Sequence, residues 1–353
     1  MRVGLSLLTL VPGRIGGSET YARELLRALS RVGTLEYAVY TSTLAADLDV
    51  GLPLEVVPEY HAARSDAGRL ATMTYSALRP AAIRRRLARE DAVHFPLTVP
   101  IPPGLPRHAI TLHDVQHLDL PAMFPRAERE FRRFAYDRAA RDADAVIAIS
   151  SFGRDRIVDL LGVEPGRVRA IPLGVDHDRF RPGTEHREPF LLYPARLWAH
   201  KNHMRLLEAF AVVRRGRPDL RLVLTGGGLE KLPVPDGVEV LGNVSSEALA
   251  QLYRRASCLV FPSLYEGFGL PPLEAMASGC PVAASNAAAL PEICGDAAVL
   301  FDPLDPAAIA AGVLEALERA NDLRPRGLER ARGFTWDVTA RAHEVLYREL
   351  TAT

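Results

Sequence analysis

The chain has 353 residues, of which 48% are apolar, and it balances 43 lysines and arginines against 43 aspartates and glutamates. That length exceeds one ordinary core, so two domains are expected. Zero net charge argues against a global field that would recruit nucleic acid or a membrane surface, and no run of about 18 apolar residues offers a membrane span.

Residues 2–10 read as a first buried strand, with Arg2 and an apolar run but no small-residue cleavage site after it. Pro12-Gly13-Arg14-Ile15-Gly16-Gly17-Ser18-Glu19 follows, then a helix over 20–31 in which Tyr21, Leu25, Ala28 and Leu29 keep helical spacing. Ser18 or Glu19 suits its cap. Gly16 and Gly17 either let a ligand's phosphates approach the backbone or simply turn the chain. The loop is not the G-x-G-x-x-G fingerprint, which weighs against hydride transfer. Strands are expected at 37–40, 54–57, 92–95 and 109–112, with a helical stretch over 67–89 broken at Pro80. Strands alternating with helices imply a parallel sheet covered on both faces, with ligands beyond the carboxyl ends of the strands. His113 and Asp114 stand at such an end. His113 suits a sugar hydroxyl or a phosphate as well as a structural role, and Asp114 would orient it or touch an acceptor. His117 and Asp119 are weaker candidates, and Pro121 argues against the helix that a metal-binding His113–His117 spacing would need.

Residues 125–141 read as a basic helix carrying Arg126, Arg129, Arg132, Arg133, Arg138 and Arg141 among Phe131, Phe134 and Tyr136, with a second cluster at Arg84, Arg85, Arg86 and Arg89. A solvated face is the plain reading, and a weak peripheral membrane contact with anionic lipid the sharper one. Strands at 145–150 and 168–171 flank a helix that Ser151 would cap. Pro182, Gly183 and the polar run 184–188 mark a boundary, giving domains 1–183 and 184–335.

The second half begins with a strand at 190–193. Arg196 and Lys201 lie on the loop beyond it, and Asn202 is placed to cap a helix reaching about 215. Two cations and a helix dipole suit a diphosphate. A strand at 220–224 ends in Thr225-Gly226-Gly227-Gly228, where the glycines admit a base or ribose, or turn the chain. A strand at 238–241 and a helix at 247–255 lead to an apolar strand, 258–261. Glu266-Gly267-Phe268-Gly269-Leu270 then makes a glycine-hinged turn into a helix, with Pro271 and Pro272 at its first positions and Gly279 past its end. Such a turn aims backbone N–H groups at an anion. Glu266 and Glu274 bracket it, which suits a ligand carrying both phosphates and hydroxyls, such as a nucleotide sugar, although each also fits a plain structural role. Strands at 281–284 and 298–301 and helices at 306–319 and 336–350 complete the chain. Cys258, Cys280 and Cys294 lack metal spacing and read as buried thiols in a reducing compartment. A cytoplasmic protein is expected, at most peripheral at the inner face of the membrane.

The string E-G-F-G-L-P-P-L-E-A-M-A-S-G, residues 266–279, resembles the signature of retaining nucleotide-sugar glycosyltransferases of family four, whose hallmark is two Glu separated by seven residues. The resemblance implies a GT-B-type α/β fold: two doubly wound, Rossmann-like domains facing an interdomain cleft. The first would bind the acceptor and the second the donor, with 336–353 packing back on the first. It implies catalytic roles for Glu266, which would meet a sugar hydroxyl, for Arg196 and Lys201, which match the family's R-x4-K pattern and would neutralise the leaving diphosphate, and for His113, which would face the donor sugar. Donor binding would fall to Gly16, Gly17, Phe268, Gly269, Leu270, Gly226, Gly227, Asn243 and Val244, with Glu274 taking ribose hydroxyls. Ser18, Glu19 and Asp114 would lie on the acceptor side. Residues 171–180 resemble the family's entry to the interdomain linker, and Asp176 and Asp178 read as a turn there rather than a D-x-D metal motif. No cofactor or metal is expected. Residues 265–277, with Ser285-Asn286 following, look most like members that use GDP-mannose, acting on a glycan, lipid-linked or small-molecule hydroxyl in polysaccharide biosynthesis. The alternatives are an epimerase or phosphorylase of the same architecture, or a non-catalytic nucleotide-sugar-binding protein.

Overall fold

A computed structural model describes residues 1–14 and 16–352; Ile15, in the loop before the first helix, and Thr353 lie outside the described residues. The chain divides into two compact units, Met1–Gly174 with Trp336–Thr353, and Val175–Thr335. In the first unit the strands are β1 (Arg2–Leu7), β2 (Glu36–Thr41), β3 (Leu54–Val56), β4 (Ala92–Phe95), β5 (His108–Leu112), β6 (Ala145–Ala148) and β7 (Val168–Ala170). They pair in parallel in the order β3-β2-β1-β4-β5-β6-β7. In the second, β8 (Glu188–Pro194), β9 (Arg221–Thr225), β10 (Val238–Gly242), β11 (Ala256–Phe261), β12 (Val282–Ser285) and β13 (Val299–Phe301) form another parallel sheet, ordered β10-β9-β8-β11-β12-β13. Val3, Leu5 and Leu7 of β1 and Leu259, Val260 and Phe261 of β11 are wholly buried, because helices cover both faces of a parallel sheet. Both units are thus doubly wound, Rossmann-like α/β domains.

The division falls ahead of the expected boundary at Gly183. Val175 bridges Thr335 and donates its amide to Phe334 O at 3.1 Å, and the buried Phe180 ring meets Tyr253 edge-on at 5.9 Å. Packing, rather than the polar run that follows, assigns this segment to the second unit. The last helix, Trp336–Ala352, lies against helix Gly17–Val32 of the first unit. Its Glu344 accepts from Thr34 N (2.6 Å), Leu35 N (3.0 Å) and Tyr37 Oη (2.5 Å). Burial works to raise that carboxyl, yet these hydrogen bonds outweigh it and hold the group below the usual range.

Other departures from sequence expectation have identifiable physical causes. The basic stretch is Arg126–Arg132, a π turn at Arg133–Asp137, then Arg138–Asp142; the wider turn brings Asp137 to His117. Ser150, one residue earlier than expected, caps helix Ser151–Leu161. Helix Ala320–Arg332, hidden in the sequence by Pro325, packs on helix Leu270–Ala277, and a Cβ at Gly327 would stand 3.1 Å from Met276 Cγ. Tertiary contact compensates there for the proline's missing hydrogen bond. Among the described residues no helix is long and apolar enough to cross a membrane.

Candidate active site

In a doubly wound sheet the crevice opens where strand order reverses, because the loops after the two flanking strands leave in opposite directions. In the second unit that point lies between β8 and β11. The loop after β8 carries Arg196 and Lys201, and the loop after β11 carries Glu266. Lys201 Nζ meets Glu266 Oε1 at 2.5 Å, with the two side chains only 14% and 15% exposed. The ammonium also lies 5.6 Å from the Phe261 ring centre, a favourable placement for a cation.

The two loops are tied to each other and to the sheet. Tyr193 Oη donates to Lys201 O at 2.6 Å, and Leu264 N to His200 O at 2.7 Å. Asn202 does not cap helix His203–Gly216 through its side chain. Its Nδ2 instead donates to Pro262 O at 3.0 Å and Pro303 O at 2.7 Å, with its backbone left-handed at φ 61°. Those two carbonyls orient the amide, and its Oδ1, the atom a cap would use, accepts from Arg205 Nη1 at 3.0 Å. Ser285 Oγ donates to Ser263 O at 2.6 Å, holding the Glu266 loop from the β12 side.

Next to this pair, the loops after β8, β9 and β10 are stitched together. Gly226 N donates to Gly242 O at 2.7 Å and Leu197 N to Gly227 O at 3.0 Å. Gly226 sits at φ 135°, and a Cβ there would come within 2.4 Å of Ala195 O, so only glycine fits. A Cβ on Gly227 would face Asn243 Oδ1 at 3.5 Å and Arg196 Nε at 3.8 Å. Arg196 therefore shares a face with Gly227 and Asn243, and its guanidinium lies 5.7 Å from the half-exposed Trp198 ring. Val244 follows Asn243 and is partly buried.

Helix Leu270–Ala277 begins at Gly269, whose φ is 124° and whose added Cβ would collide with Leu290 Cδ2 at 2.8 Å. Phe268 is buried against Phe334. Pro271 and Pro272 have no N–H, so the amides available at this end are those of Phe268, Gly269 and Leu270. Glu274, one turn into the helix, accepts from Tyr253 Oη at 3.0 Å through Oε2. Burial pushes its carboxyl up to about 7, against the Tyr253 hydrogen bond and Arg179, which lower it. Asp176 accepts the Asp178 and Arg179 amides through Oδ1, both at 3.1 Å, and meets the Arg179 guanidinium through Oδ2. Both its oxygens are engaged within its own turn.

In the first unit the strand order reverses between β1 and β4. Gly16 opens helix Gly17–Val32 at φ 65°, and its carbonyl accepts from Glu19 N and Thr20 N. Neither Ser18 nor Glu19 caps the helix, contrary to expectation: both lie inside it, and Glu19 turns back to accept from Gly13 N at 2.8 Å and Arg23 Nε at 3.0 Å. His113 Nε2 lies 3.0 Å from Pro96 O, and a carbonyl only accepts, so that nitrogen carries the proton. Burial lowers the ring's pKa, against the Pro96 hydrogen bond and Asp114, which raise it. Neutral His113 therefore presents Nδ1 as an acceptor. Asp114 accepts from Gln116 N (3.1 Å) and meets Arg132 (3.5 Å); no hydrogen bond joins it to His113. His117 lies on a one-turn helix, Gln116–Asp119, that ends before Pro121, which starts the next turn instead of forbidding this one. His117 is paired with Asp137 at 2.8 Å, and Asp119 with Arg156. In the basic stretch Arg132, Arg133 and Arg138 pair with Glu128, Glu130 and Asp142, and Phe134 stays exposed.

One buried network had no signal in the sequence. His343 Nδ1 must donate to Thr339 O (2.8 Å), so its Nε2 accepts from Tyr21 Oη (2.9 Å). Thr111 Oγ1 then donates to Tyr21 (2.7 Å) and accepts from His94 Nε2 (2.8 Å), and Tyr347 Oη donates to His94 Nδ1 (2.8 Å). The order holds because burial keeps both rings neutral, pushing His343 down to about 4 and His94 well below its usual value. Tyr21 in turn meets the His113 ring edge-on at 5.1 Å. The residues of this chain are 322 positions apart at the Tyr21–His343 step, and no periodicity reports such a contact.

The chain is similar to known proteins. The family model described as "Glycosyl transferases group 1" matches residues 175–332, and that described as "Glycosyltransferase Family 4" matches 15–179. The chain is 30% identical to the D-inositol 3-phosphate glycosyltransferase 2 of Catenulispora acidiphila, covering 95% of this chain and 90% of that protein. It is also 30% identical to the O-antigen chain mannosyltransferase B of Escherichia coli, over 67% of this chain and 69% of that one. Among solved structures, sucrose-phosphate synthase from Thermosynechococcus elongatus superposes with a TM-score of 0.81 at 22% identity, over 100% of this chain and 99% of that one. HepE of Anabaena, in complex with UDP-glucose, does so with a TM-score of 0.75 at 17% identity, over 100% of both chains. At those identities the likeness speaks for the fold alone.

Proposed function

The chain belongs to the group 1 glycosyltransferases, and from that premise we propose that it moves a hexose from a nucleoside-diphosphate sugar, with GDP-mannose the lead donor, to a hydroxyl of a glycan, lipid-linked or small-molecule acceptor. The observation that carries the reading is the pairing of Lys201 with Glu266 across the reversal point of the second sheet. A cation and a carboxylate held together there, beside the amides of Phe268, Gly269 and Leu270, suit a ligand that carries phosphates and hydroxyls side by side.

In this reading the second unit holds the donor. Glu274 Oε1 accepts from ribose hydroxyls. The face shared by Gly226, Gly227, Arg196, Asn243 and Val244 takes the base and the diphosphate. Lys201 and Arg196 offset the charge that grows on the leaving diphosphate as the glycosidic bond lengthens, and Glu266 accepts from a sugar hydroxyl while keeping Lys201 in place. Fixed charges cost no reorganisation at the moment of reaction. The first unit receives the acceptor beside Ser18, with Glu19 and Asp114 shaping this face through their own loop contacts, while Gly16, Gly17 and neutral His113, which offers Nδ1, serve the donor. Retention of configuration follows if the acceptor attacks the face that the diphosphate leaves, with a leaving-group oxygen taking the acceptor's proton. No metal has a role in this account, since Asp176 is spent on its own turn. Chelation with EDTA is expected to leave turnover unchanged.

The test is a thermal-shift panel of nucleoside diphosphates and their sugars, since a ligand of the folded state raises its stability by mass action. Preferential stabilisation by GDP or GDP-mannose supports the lead donor. A response confined to uridine nucleotides changes the donor and keeps the mechanism. No response to any of them overturns the assignment of the second unit.

A further inference from the structure

The segment 175–180 is not part of the donor face described above, yet it brings two charges toward Glu274. Arg179 favours the ionised carboxyl and Asp176 opposes it. Asp176 is itself neutralised by Arg179 at 3.1 Å, and Arg179 also reaches Glu247 Oε1 at 3.3 Å, on the helix that carries Tyr253. Tyr253 is wholly buried, and its ring is fixed edge-on by Phe180. Its hydroxyl donates to Glu274 Oε2, and Oε1 makes no hydrogen bond to the described residues. The other elements packed on the Glu274 helix bring charges that are directed elsewhere. Arg324, from helix Ala320–Arg332, acts on Cys280 rather than Glu274. Arg330 donates to the Ile293 and Glu292 carbonyls. β11 contributes only the buried Cys258 thiol. Tyr253 and Arg179 are thus the groups that support the Glu274 carboxylate.

We propose that Tyr253 and Arg179 are positioning residues for donor binding: they hold Glu274 aimed and ionised, so that affinity for the nucleotide sugar falls as the pH drops through neutrality. This rests on the reading of Glu274 as the acceptor of ribose hydroxyls. The direction follows from which form binds. A carboxylate accepts two hydroxyl protons, whereas a carboxylic acid must place one of its own, so binding is strongest above the Glu274 pKa and fades below it. Tyr253 and Arg179 both lower that pKa, so removing either moves the fade to higher pH.

Isothermal titration of the full-length chain from about pH 5.5 to about pH 8.5, with GDP-mannose and with UDP-glucose, tests this. Both sugars carry a diphosphate esterified at each end, so neither changes charge in that window, whereas a free phosphate monoester would. Wild type should lose about tenfold in affinity between about pH 8 and about pH 6, the loss expected of one group titrating near the middle. Glu274→Gln should bind about tenfold more weakly at pH 8 with a flat profile. Tyr253→Phe should raise the midpoint by about half a unit or more. Arg179→Met, at a part-exposed position outside the core, should do the same even if Tyr253→Phe fails to fold. If Glu274→Gln binds weakly while both other variants keep the wild-type midpoint, the proposal is wrong and the ribose reading stands. If Glu274→Gln binds as tightly as wild type, or neither sugar nucleotide binds at all, the ribose reading fails and this proposal falls with it.

Discussion

The two strand-reversal points are built differently. In the second unit, Lys201 and Glu266 come from different loops, and backbone and side-chain hydrogen bonds from Tyr193, Asn202, Leu264 and Ser285 tie those loops to each other and to the sheet. In the first unit the described residues of the glycine loop bond within the loop, through Glu19 to Gly13 and through the Gly16 carbonyl to the first helical turn, and reach outside it through Arg14, whose guanidinium donates to Arg64 O at 2.9 Å. A Cβ added at Gly16 or Gly17 would meet nothing within 4 Å, whereas one at Gly226 or Gly269 would strike a neighbour. The contrast suits the division of labour proposed above. A donor diphosphate of constant chemistry calls for fixed charges, while an acceptor site has to suit whatever hydroxyl a given family member uses.

Substitutions can break that contrast or sharpen it. The largest effect is expected at the fixed pair: Lys201→Ala and Glu266→Gln should each lower turnover about a hundredfold or more, read as kcat with the melting temperature as the check on folding. A loss below about fivefold for both would remove their catalytic roles. Next is Asn202→Ala, which leaves the buried Pro262 and Pro303 carbonyls without a donor and should cost about 1–3 kcal/mol in urea unfolding, together with donor affinity. An unchanged unfolding midpoint would mean that water or relaxation replaces the clamp. Tyr21→Phe should cost about 1–2 kcal/mol, because the His343 and Thr111 groups lose their shared partner; the amide exchange of helix Trp336–Ala352, rather than nucleotide binding, is where the loss should appear. Smallest is Gly17→Ala, at a site with open space and no left-handed φ, expected to change stability by less than about 0.5 kcal/mol. Gly16→Ala, at φ 65°, should cost about 1 kcal/mol or more. Equal costs at the two positions would contradict the loop geometry.

Most residues of the second unit's candidate site could be named from the sequence because its signals are local. Gly267 and Gly269, Pro271 and Pro272, and the spacing from Glu266 to Glu274 lie within one short stretch, and a strand–turn–helix there constrains where both carboxylates stand. Arg196 and Lys201 were readable as cations beyond a strand end. Their meeting with Glu266 was not, because it depends on β8 and β11 being neighbours although β9 and β10 lie between them in sequence. The roles expected of Asn202, Ser18 and Glu19 as caps failed for a common reason. Each position was judged by its nearest helix end; Ser18 and Glu19 fall inside the helix that Gly16 opens, and the Glu19 and Asn202 side chains found other partners once their loops were folded.

The alternation of strand and helix and the glycine-hinged turn at 266–270 were determined by sequence alone, since apolar periodicity and glycine–proline placement act within a few residues; the two doubly wound domains were implied by the family resemblance of residues 266–279. Tertiary structure decided what depends on distant groups. It placed 175–180 with the second unit, formed helix Ala320–Arg332 despite Pro325, and aligned the proton order from Tyr347 to Thr339 through two neutral histidines. It also brought Tyr253 and Arg179 to bear on Glu274. Burial and long-range pairing set hydrogen-bond partners and protonation, and both come into being only when segments far apart in the chain are packed together.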